Sequence, residues 1–125
     1  MNNIKDEIFP LADLIEQELQ LFQNHEIKID FMADGGALIK GDKFLIRQML
    51  KNIFETILAT AKHQLTIGLV QNEKSVILSI KDDGQGTSSA AHEIDRLKKI
   101  MELHDSSLTV KKTSLGTEIQ FQFPR

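Results

Sequence analysis

The residues with the clearest chemical potential form one short string, Asp82-Asp83-Gly84-Gln85-Gly86, which follows an alternating apolar stretch. The alternation predicts a strand that ends at Asp82. The two glycines let the backbone take positive φ and pass close to a flat ligand that a side chain would block. A carboxylate followed by such a loop predicts a nucleotide site. An acidic glycine turn that only closes a hairpin is the alternative, and the string alone does not separate the two.

Other chemistries have little support in the sequence. The chain has no cysteine, which excludes disulfides, thiolate metal sites and a cysteine nucleophile. No glycine loop is followed by Lys-Ser or Lys-Thr, and no Gly-x-Ser-x-Gly elbow is present. Asp82 and Asp83 are adjacent on a strand end, so we expect their side chains to diverge rather than to face each other as an acid and a base. The histidines lack the spacing of zinc ligands. They are His25, His63, His92 and His104.

Composition limits the broad class of protein. With 125 residues, 41% hydrophobic and 26% charged, the chain fits one domain with a two-layer core. The 15 basic and 18 acidic residues are interspersed, so we expect no nucleic-acid partner. No apolar run approaches the roughly 20 residues of a membrane span, and the N-terminus lacks a signal-peptide pattern, so we expect no membrane contact. The absence of cysteine also fits a reducing compartment, and the expected location is cytoplasmic.

Three stretches have the apolar spacing of amphipathic helices. The first runs from Leu11 to Phe22, with a proline at its first turn. The second follows Asp42, a good N-cap, and its apolar residues recur every three or four positions as far as Ala61. The third spans Ile94 to Met101, and His104 falls near its end, where a positive charge would favour the helix dipole.

Five stretches alternate as strands. They are Ile27 to Phe31, Leu65 to Leu69, Val76 to Lys81, Leu108 to Val110 and Ile119 to Phe123. Short turns predict that the second and third form a hairpin, as do the fourth and fifth. Leu38 and Ile39 are expected to extend the sheet. Three helices over one face of a mixed five-stranded sheet predict a two-layer α/β sandwich of the α+β class.

The order of these features resembles the ATP-binding domain of sensor histidine kinases. The resemblance implies the ATPase fold that this family shares with gyrase, a class of heat-shock chaperones and mismatch-repair ATPases, over residues 1–125. The matching fragments, in chain order, are Lys40-Gly41-Asp42-Lys43, Asn52, the Asp82 to Gly86 string, Met101-Glu102-Leu103-His104, and Gly116-Thr117 before a strand that ends in Phe123-Pro124. Asp105 and Ser106 stand where the family usually has two glycines.

The resemblance also implies roles for individual residues around ATP or ADP with Mg²⁺. Asp82 matches the aspartate that reads adenine, and Gly84 and Gly86 make room for the ring. Asn52 matches the first polar position of the family's asparagine box, on the phosphate side. Glu55, one turn along the same helix, is a candidate for orienting a water. The alternatives are a turn cap for Asp82 and ordinary solvated positions for Asn52 and Glu55.

The departures from the family pattern lie at the phosphate end. Thr56 stands where the motif has the asparagine that holds Mg²⁺, which leaves Asn52 and Thr56 as the candidate metal ligands, and Ala59 stands where a lysine often meets the phosphates. Thr117 is a further candidate for nucleotide contact. The segment from Thr87 to Ala91 replaces the family's long lid and its second glycine-rich box. We therefore expect poor phosphate binding.

Two functions remain open at this point. One is the catalytic domain of a two-component sensor kinase that binds nucleotide and transfers phosphate slowly or not at all. The other is a pseudokinase or phosphotransfer-type module that does not use ATP. The resemblance implies a dimerisation and phosphoacceptor domain and a response regulator as partners, with the acceptor histidine outside this chain, since His92-Glu93 matches the acceptor motif only superficially. We expect an excised or reduced domain, with a free-standing small protein as the alternative.

Overall fold

The computed structural model describes residues 6–22, 26–34, 36–59, 61–84 and 89–125, and only the backbone of 89–93. The helices are α1 (Leu11–Gln20), α2 (Lys43–Leu58) and α3 (Ser89–Leu103). The strands are β1 (Glu7–Pro10), β2 (Lys28–Ala33), β3 (Leu38–Gly41), β4 (Gln64–Gln71), β5 (Ser75–Asp82), β6 (Ser107–Thr113) and β7 (Gly116–Pro124). None of the described helices combines the length and the apolar character needed to cross a membrane.

Five strands form one mixed sheet in the order β2-β4-β5-β7-β6. β2 runs parallel to β4, and the other neighbouring strands are antiparallel. Both predicted hairpins are present, because β4 pairs with β5 and β6 pairs with β7. The α+β class with three helices and a mixed five-stranded sheet is confirmed.

One face of this sheet carries the core. Along β5 the side chains of Val76, Leu78 and Ile80 are fully buried, whereas Ile77 and Ser79 between them are only partly buried. β4 and β7, which flank β5, bury alternate side chains on the same face. The apolar faces of the helices complete a single cluster with them. Because side chains alternate between the faces of a strand, every second residue of β5 faces this core up to the last one.

α2 carries three of the predicted site residues, Asn52, Glu55 and Thr56, and its start is held by hydrogen bonds. The Oδ1 atom of Asp42 accepts hydrogen bonds from the backbone N–H groups of Phe44 (3.0 Å) and Leu45 (3.2 Å), which confirms the predicted N-cap. One turn further along, the Nε atom of Arg47 lies 3.7 Å from the buried carboxylate of Glu18 on α1. The cap fixes the first turn of α2, and the ion pair joins α2 to α1.

The expected position of Leu38 and Ile39 in the main sheet is wrong. Both belong to β3, which pairs with β1 in a separate antiparallel two-stranded sheet. Phe9 lies opposite Ile39 in this pair, and both side chains are buried. The pairing is therefore decided by burial of two residues far apart in the chain, which local alternation does not reveal.

Two predicted helix ends are also too late. α1 ends at Gln20 rather than Phe22, and α2 ends at Leu58 rather than Ala61. The backbone N–H of Ala61 still donates to the carbonyl of Ile57 (2.8 Å), so a final turn follows α2 without continuing the helix. Apolar spacing marks the side chains that reach the core, and it extends past the last regular turn.

The expected role of His104 as a cation at the helix end is wrong. Its buried ring accepts a hydrogen bond at Nε2 from the backbone N–H of Asp42 (3.0 Å), and Nδ1 donates to the carbonyl of Ile100 (2.8 Å). The accepting nitrogen carries no proton, so this geometry requires a neutral ring. The contact ties the end of α3 to the start of α2. Gly41 makes room for it, because a Cβ there would collide with the imidazole.

Gly41→Ala is expected to destabilise the protein by about 1–3 kcal/mol, because the added methyl group displaces the His104 ring. Gly68→Ala is the matched control: a Cβ at Gly68 meets nothing within 4 Å, so its free energy of unfolding should change by less than about 0.5 kcal/mol. Urea denaturation measures both. In a Gly41→Ala, His104→Ala double variant the losses should be less than additive. Equal stability of the two glycine variants would contradict the packing described.

Candidate nucleotide-binding site

Asp82 is the last residue of β5 and faces the core. It follows Leu78 and Ile80 at two-residue spacing, on the same side of the sheet, and its side chain is only 5% exposed. The two-residue alternation that buries the apolar side chains of β5 therefore also places the carboxylate of Asp82 on the core face, under the helix layer. The carboxylate does not point into open solvent.

Two backbone N–H groups hold this carboxylate. Gly84 donates to Oδ2 and Thr117 to Oδ1, each at 3.3 Å. Burial raises the pKa of Asp82, the two N–H groups oppose that rise, and the negative charge of Asp83 adds to it. Both hydrogen bonds are long, so they orient the group while only partly offsetting the cost of burying its charge.

Gly116 brings Thr117 close enough to make its hydrogen bond. Thr117 lies opposite Asp82 in the pairing of β5 with β7. Gly116 has a φ of +146°, and a Cβ there would collide with the carbonyl oxygen of Asp82. The close approach of the two backbones therefore requires glycine. This gives a physical reason for the Gly116-Thr117 pair that the sequence singled out.

The polar residues of α2 lie along one flank of the helix. Asn52 and Thr56 are partly buried, whereas Glu55 is exposed. Spacings of three and four residues place these side chains and Ala59 on neighbouring positions of the same surface. The hydroxyl of Thr56 donates to the backbone carbonyl of Asn52 (2.9 Å), so its proton is used within the helix and only its lone pairs remain.

Asp83 points away from Asp82 and has different partners. Its carboxylate accepts hydrogen bonds from the backbone N–H groups of Lys62 and His63, in the segment that follows α2. These N–H groups hold the pKa of Asp83 below its usual value. The two adjacent carboxylates therefore diverge, and Asp83 joins the end of α2 to the end of β5. Sequence reasoning missed this contact, since only the tertiary fold brings the two segments together.

The loop beyond Gly84 is only partly described. Gly84 is buried, whereas Gly86 lies outside the described residues together with the rest of segment 85–88. α3 begins at Ser89, so six residues, 83–88, connect it to the end of β5 at Asp82. This connection is as short as the sequence indicated. His25 also lies outside the described residues, as does the side chain of His92.

The donor atoms at the phosphate end fit Mg²⁺ poorly. Asn52 and Thr56 offer neutral oxygens, and Mg²⁺ in proteins is usually held by at least one carboxylate together with phosphates and waters. Glu55 is the nearest carboxylate along the helix, but it is exposed to solvent. In the part of the chain that the structure describes, no three His, Asp or Glu side chains come together as a metal cluster.

The sequence matches no protein-family model. Among curated proteins, the sensor histidine kinase CssS of Bacillus subtilis (strain 168) is 18% identical over 141 residues, which cover 98% of this chain and 31% of CssS. The chain therefore spans about a third of the length of this relative.

Solved structures of histidine kinases superpose closely on the chain. A catalytic domain of the histidine kinase ThkA gives a TM-score of 0.87 at 17% identity, over 97% of this chain and 98% of that one. ThkA in complex with the response regulator protein TrrA gives 0.79 at 21% identity, over 95% and 41%. Full-length ShkA in complex with AMPPNP gives 0.83 at 15% identity, over 98% and 32%. The chain has the fold of histidine kinase catalytic domains, as the resemblance in its motifs predicted.

Proposed function

We propose that the chain is the nucleotide-binding, catalytic-type domain of a two-component sensor histidine kinase, with slow phosphoryl transfer or none. The buried carboxylate of Asp82 carries this proposal. Its two oxygens each accept one long hydrogen bond, from Gly84 and Thr117, and a carboxylate oxygen has a second lone pair for a further donor. The exocyclic amine of adenine supplies such a donor, and Gly84, which has no side chain, is the described residue next to this carboxylate in the loop.

The phosphate end of the proposed site is depleted. Phosphoryl transfer depends on positioning and on stabilising charge at the phosphates. Asn52 and Glu55 are the candidates for orienting phosphate or water, and Thr56 and Ala59 supply neither an amide nor a cation. The short connection after Gly84 leaves little chain to cover a triphosphate. We therefore expect ATP and ADP to bind mainly through adenine, with little help from Mg²⁺.

A module that does not use ATP is the second candidate, and Thr56 with Ala59 favours it. In either case the proposed partners are a phosphoacceptor domain and a response regulator. The complex of ThkA with a response regulator supports the second of these partners, and the complex of ShkA with AMPPNP supports nucleotide as a ligand for a domain of this fold. Cytoplasmic location stays a prediction from the sequence.

Calorimetric titration with ADP, with and without Mg²⁺, separates the two candidates. We expect heat of binding that depends weakly on Mg²⁺. Asp82→Asn should weaken binding at least about tenfold, since it removes a charge-assisted hydrogen bond of about 1.5–3 kcal/mol. Asp30→Asn is the matched control, because Asp30 is a partly buried residue of β2 that accepts a hydrogen bond from Gln64. No heat at millimolar ADP favours the ATP-independent module, and unchanged affinity in Asp82→Asn places the pocket elsewhere.

Thr56→Asn tests the depleted phosphate end. An asparagine restores the amide oxygen that the family's motif places there, so the affinity for Mg²⁺-ADP should rise about threefold to tenfold while the affinity for adenosine stays the same. Thr66→Asn, at an exposed position on β4, controls for the substitution itself. If Thr56→Asn leaves Mg²⁺-ADP affinity unchanged, the short connection rather than the lost amide limits phosphate binding.

The raised pKa of Asp82 predicts opposite pH dependences for binding and folding. Burial holds its folded-state pKa above 3.8, the ordinary value for an aspartate. Between these two values the folded chain holds the proton more tightly than the unfolded chain does, so this residue's contribution to stability is lost as the pH rises through the folded pKa. Adenine binding is gained over the same window, because the ionised carboxylate accepts the hydrogen bond.

The measurement is urea denaturation of the wild type and Asp82→Asn from pH 4 to 7, together with wild-type ADP titrations over that range. The difference in free energy of unfolding isolates Asp82 from the other acids, and the wild type should lose stability relative to the variant as the pH rises. Two results would contradict the burial of Asp82. One is a wild type that gains stability relative to Asp82→Asn as the pH rises, and the other is ADP binding that strengthens toward low pH.

A further inference from the structure

The carboxylate of Asp83, just beyond the end of β5, is held by two backbone N–H groups. Its Oδ1 accepts from the backbone N–H of Lys62 (2.9 Å) and of His63 (3.1 Å), and its Oδ2 also lies 3.0 Å from the N–H of His63. All three distances are shorter than the 3.3 Å contacts that hold Asp82. The firmer attachment of this loop is therefore at Asp83, one residue beyond the buried carboxylate.

The segment that Asp83 holds is anchored on both sides. Before it, the N–H of Ala61 donates to the carbonyl of Ile57 (2.8 Å) and so attaches the segment to the last turn of α2. After it, the carbonyl of His63 accepts from the N–H of Lys28 at the start of β2 (2.8 Å). Asp83 thus connects the loop beside Asp82 to a segment that is fixed to α2 and to the edge of the sheet.

We propose that Asp83 is a positioning residue that clamps the end of α2 to the loop that orients Asp82. Asn52 and Thr56 lie on the last turns of α2, whereas Asp82 and Gly84 lie at the end of β5, so the clamp sets the distance between the phosphate and adenine ends of the site. The clamp itself is a property of the fold, and its effect on nucleotide affinity rests on the proposed function.

The direct test is amide hydrogen exchange followed by NMR in the wild type and in Asp83→Ala. Loss of the clamp should lower protection of the Lys62 and His63 amides. It should also lower protection of the Gly84 and Thr117 amides, which bond Asp82 rather than Asp83, by about tenfold. Asp83→Asn should recover most of this protection, because its side-chain oxygen still accepts from the same amides.

Asp34→Ala is the matched control. Its Oδ2 accepts from the backbone N–H of Gln71 (3.2 Å), an equivalent carboxylate-to-amide contact at the opposite end of β4. The Gly84 and Thr117 amides should keep their protection in this variant. If Asp83→Ala does not fold, Asp83→Ser replaces it, since one hydroxyl oxygen keeps only part of the contact. Unchanged protection at Gly84 and Thr117, or no recovery in Asp83→Asn, overturns the proposal.

Nucleotide titrations add a readout that general destabilisation does not move. ADP and adenosine both bind mainly through adenine, so Asp83→Ala should weaken the binding of both ligands several-fold as the Gly84 and Thr117 amides lose their hold on Asp82. Unchanged affinity for both ligands overturns the effect of the clamp on binding. If the wild type binds neither ligand, the proposed function fails, and the exchange measurement still decides whether Asp83 holds Asp82 in place.

Discussion

Burying a carboxylate at the end of a central strand is costly, because it removes the water that stabilises the charge. Asp82 is in this position, and the surrounding backbone is arranged around it. Gly116 takes a φ of +146° so that β7 passes close to it, and the N–H groups of Thr117 and Gly84 point at its oxygens. Two long hydrogen bonds do not cancel the cost of burial, which is why the pKa of the group is raised. A charge that the fold tolerates rather than uses for stability is typical of a binding group.

The adenine and phosphate ends of the proposed nucleotide site differ in how complete they are. At the adenine end, a carboxylate, a close glycine approach and two oriented amides are all in place. At the phosphate end, α2 presents a hydroxyl that already donates to its own backbone, an exposed glutamate and an alanine. Purine recognition needs shape and one or two directed hydrogen bonds, whereas holding a triphosphate needs positive charge or a metal ion. In the proposed site, depletion of the phosphate end would therefore affect phosphoryl transfer more strongly than recognition of the base.

The parts of the fold that were predicted correctly are those with a local signal. The period of two in β5 and β7, the helical period of α2 and the N-cap at Asp42 are each determined by neighbours in sequence. The pairing of β1 with β3 was missed because it depends on burying Phe9 opposite Ile39. For the end of α3, the sequence showed a departure from the family pattern at Asp105, and the structure supplied the reason for it. Asp105 adopts a φ of 52°, which explains why glycine is usual in the related motif, and aspartate is one of the few other residues that tolerate this conformation.

The sequence by itself determined the strand and helix periods, the α+β class and the order of motifs that resembles a histidine kinase domain, because these follow from the spacing of apolar and glycine residues along the chain. It also placed Asp82 at a strand end and Asn52 and Thr56 on one helix flank. Only the tertiary structure decided that Asp82 is buried, that His104 is a neutral acceptor for the start of α2, and that Asp83 bonds the segment after α2. Each of these features depends on hydrogen-bond partners 20 or more residues away in the chain, or on the helices packed over the sheet. The spacing of residues along the chain carries no information about either.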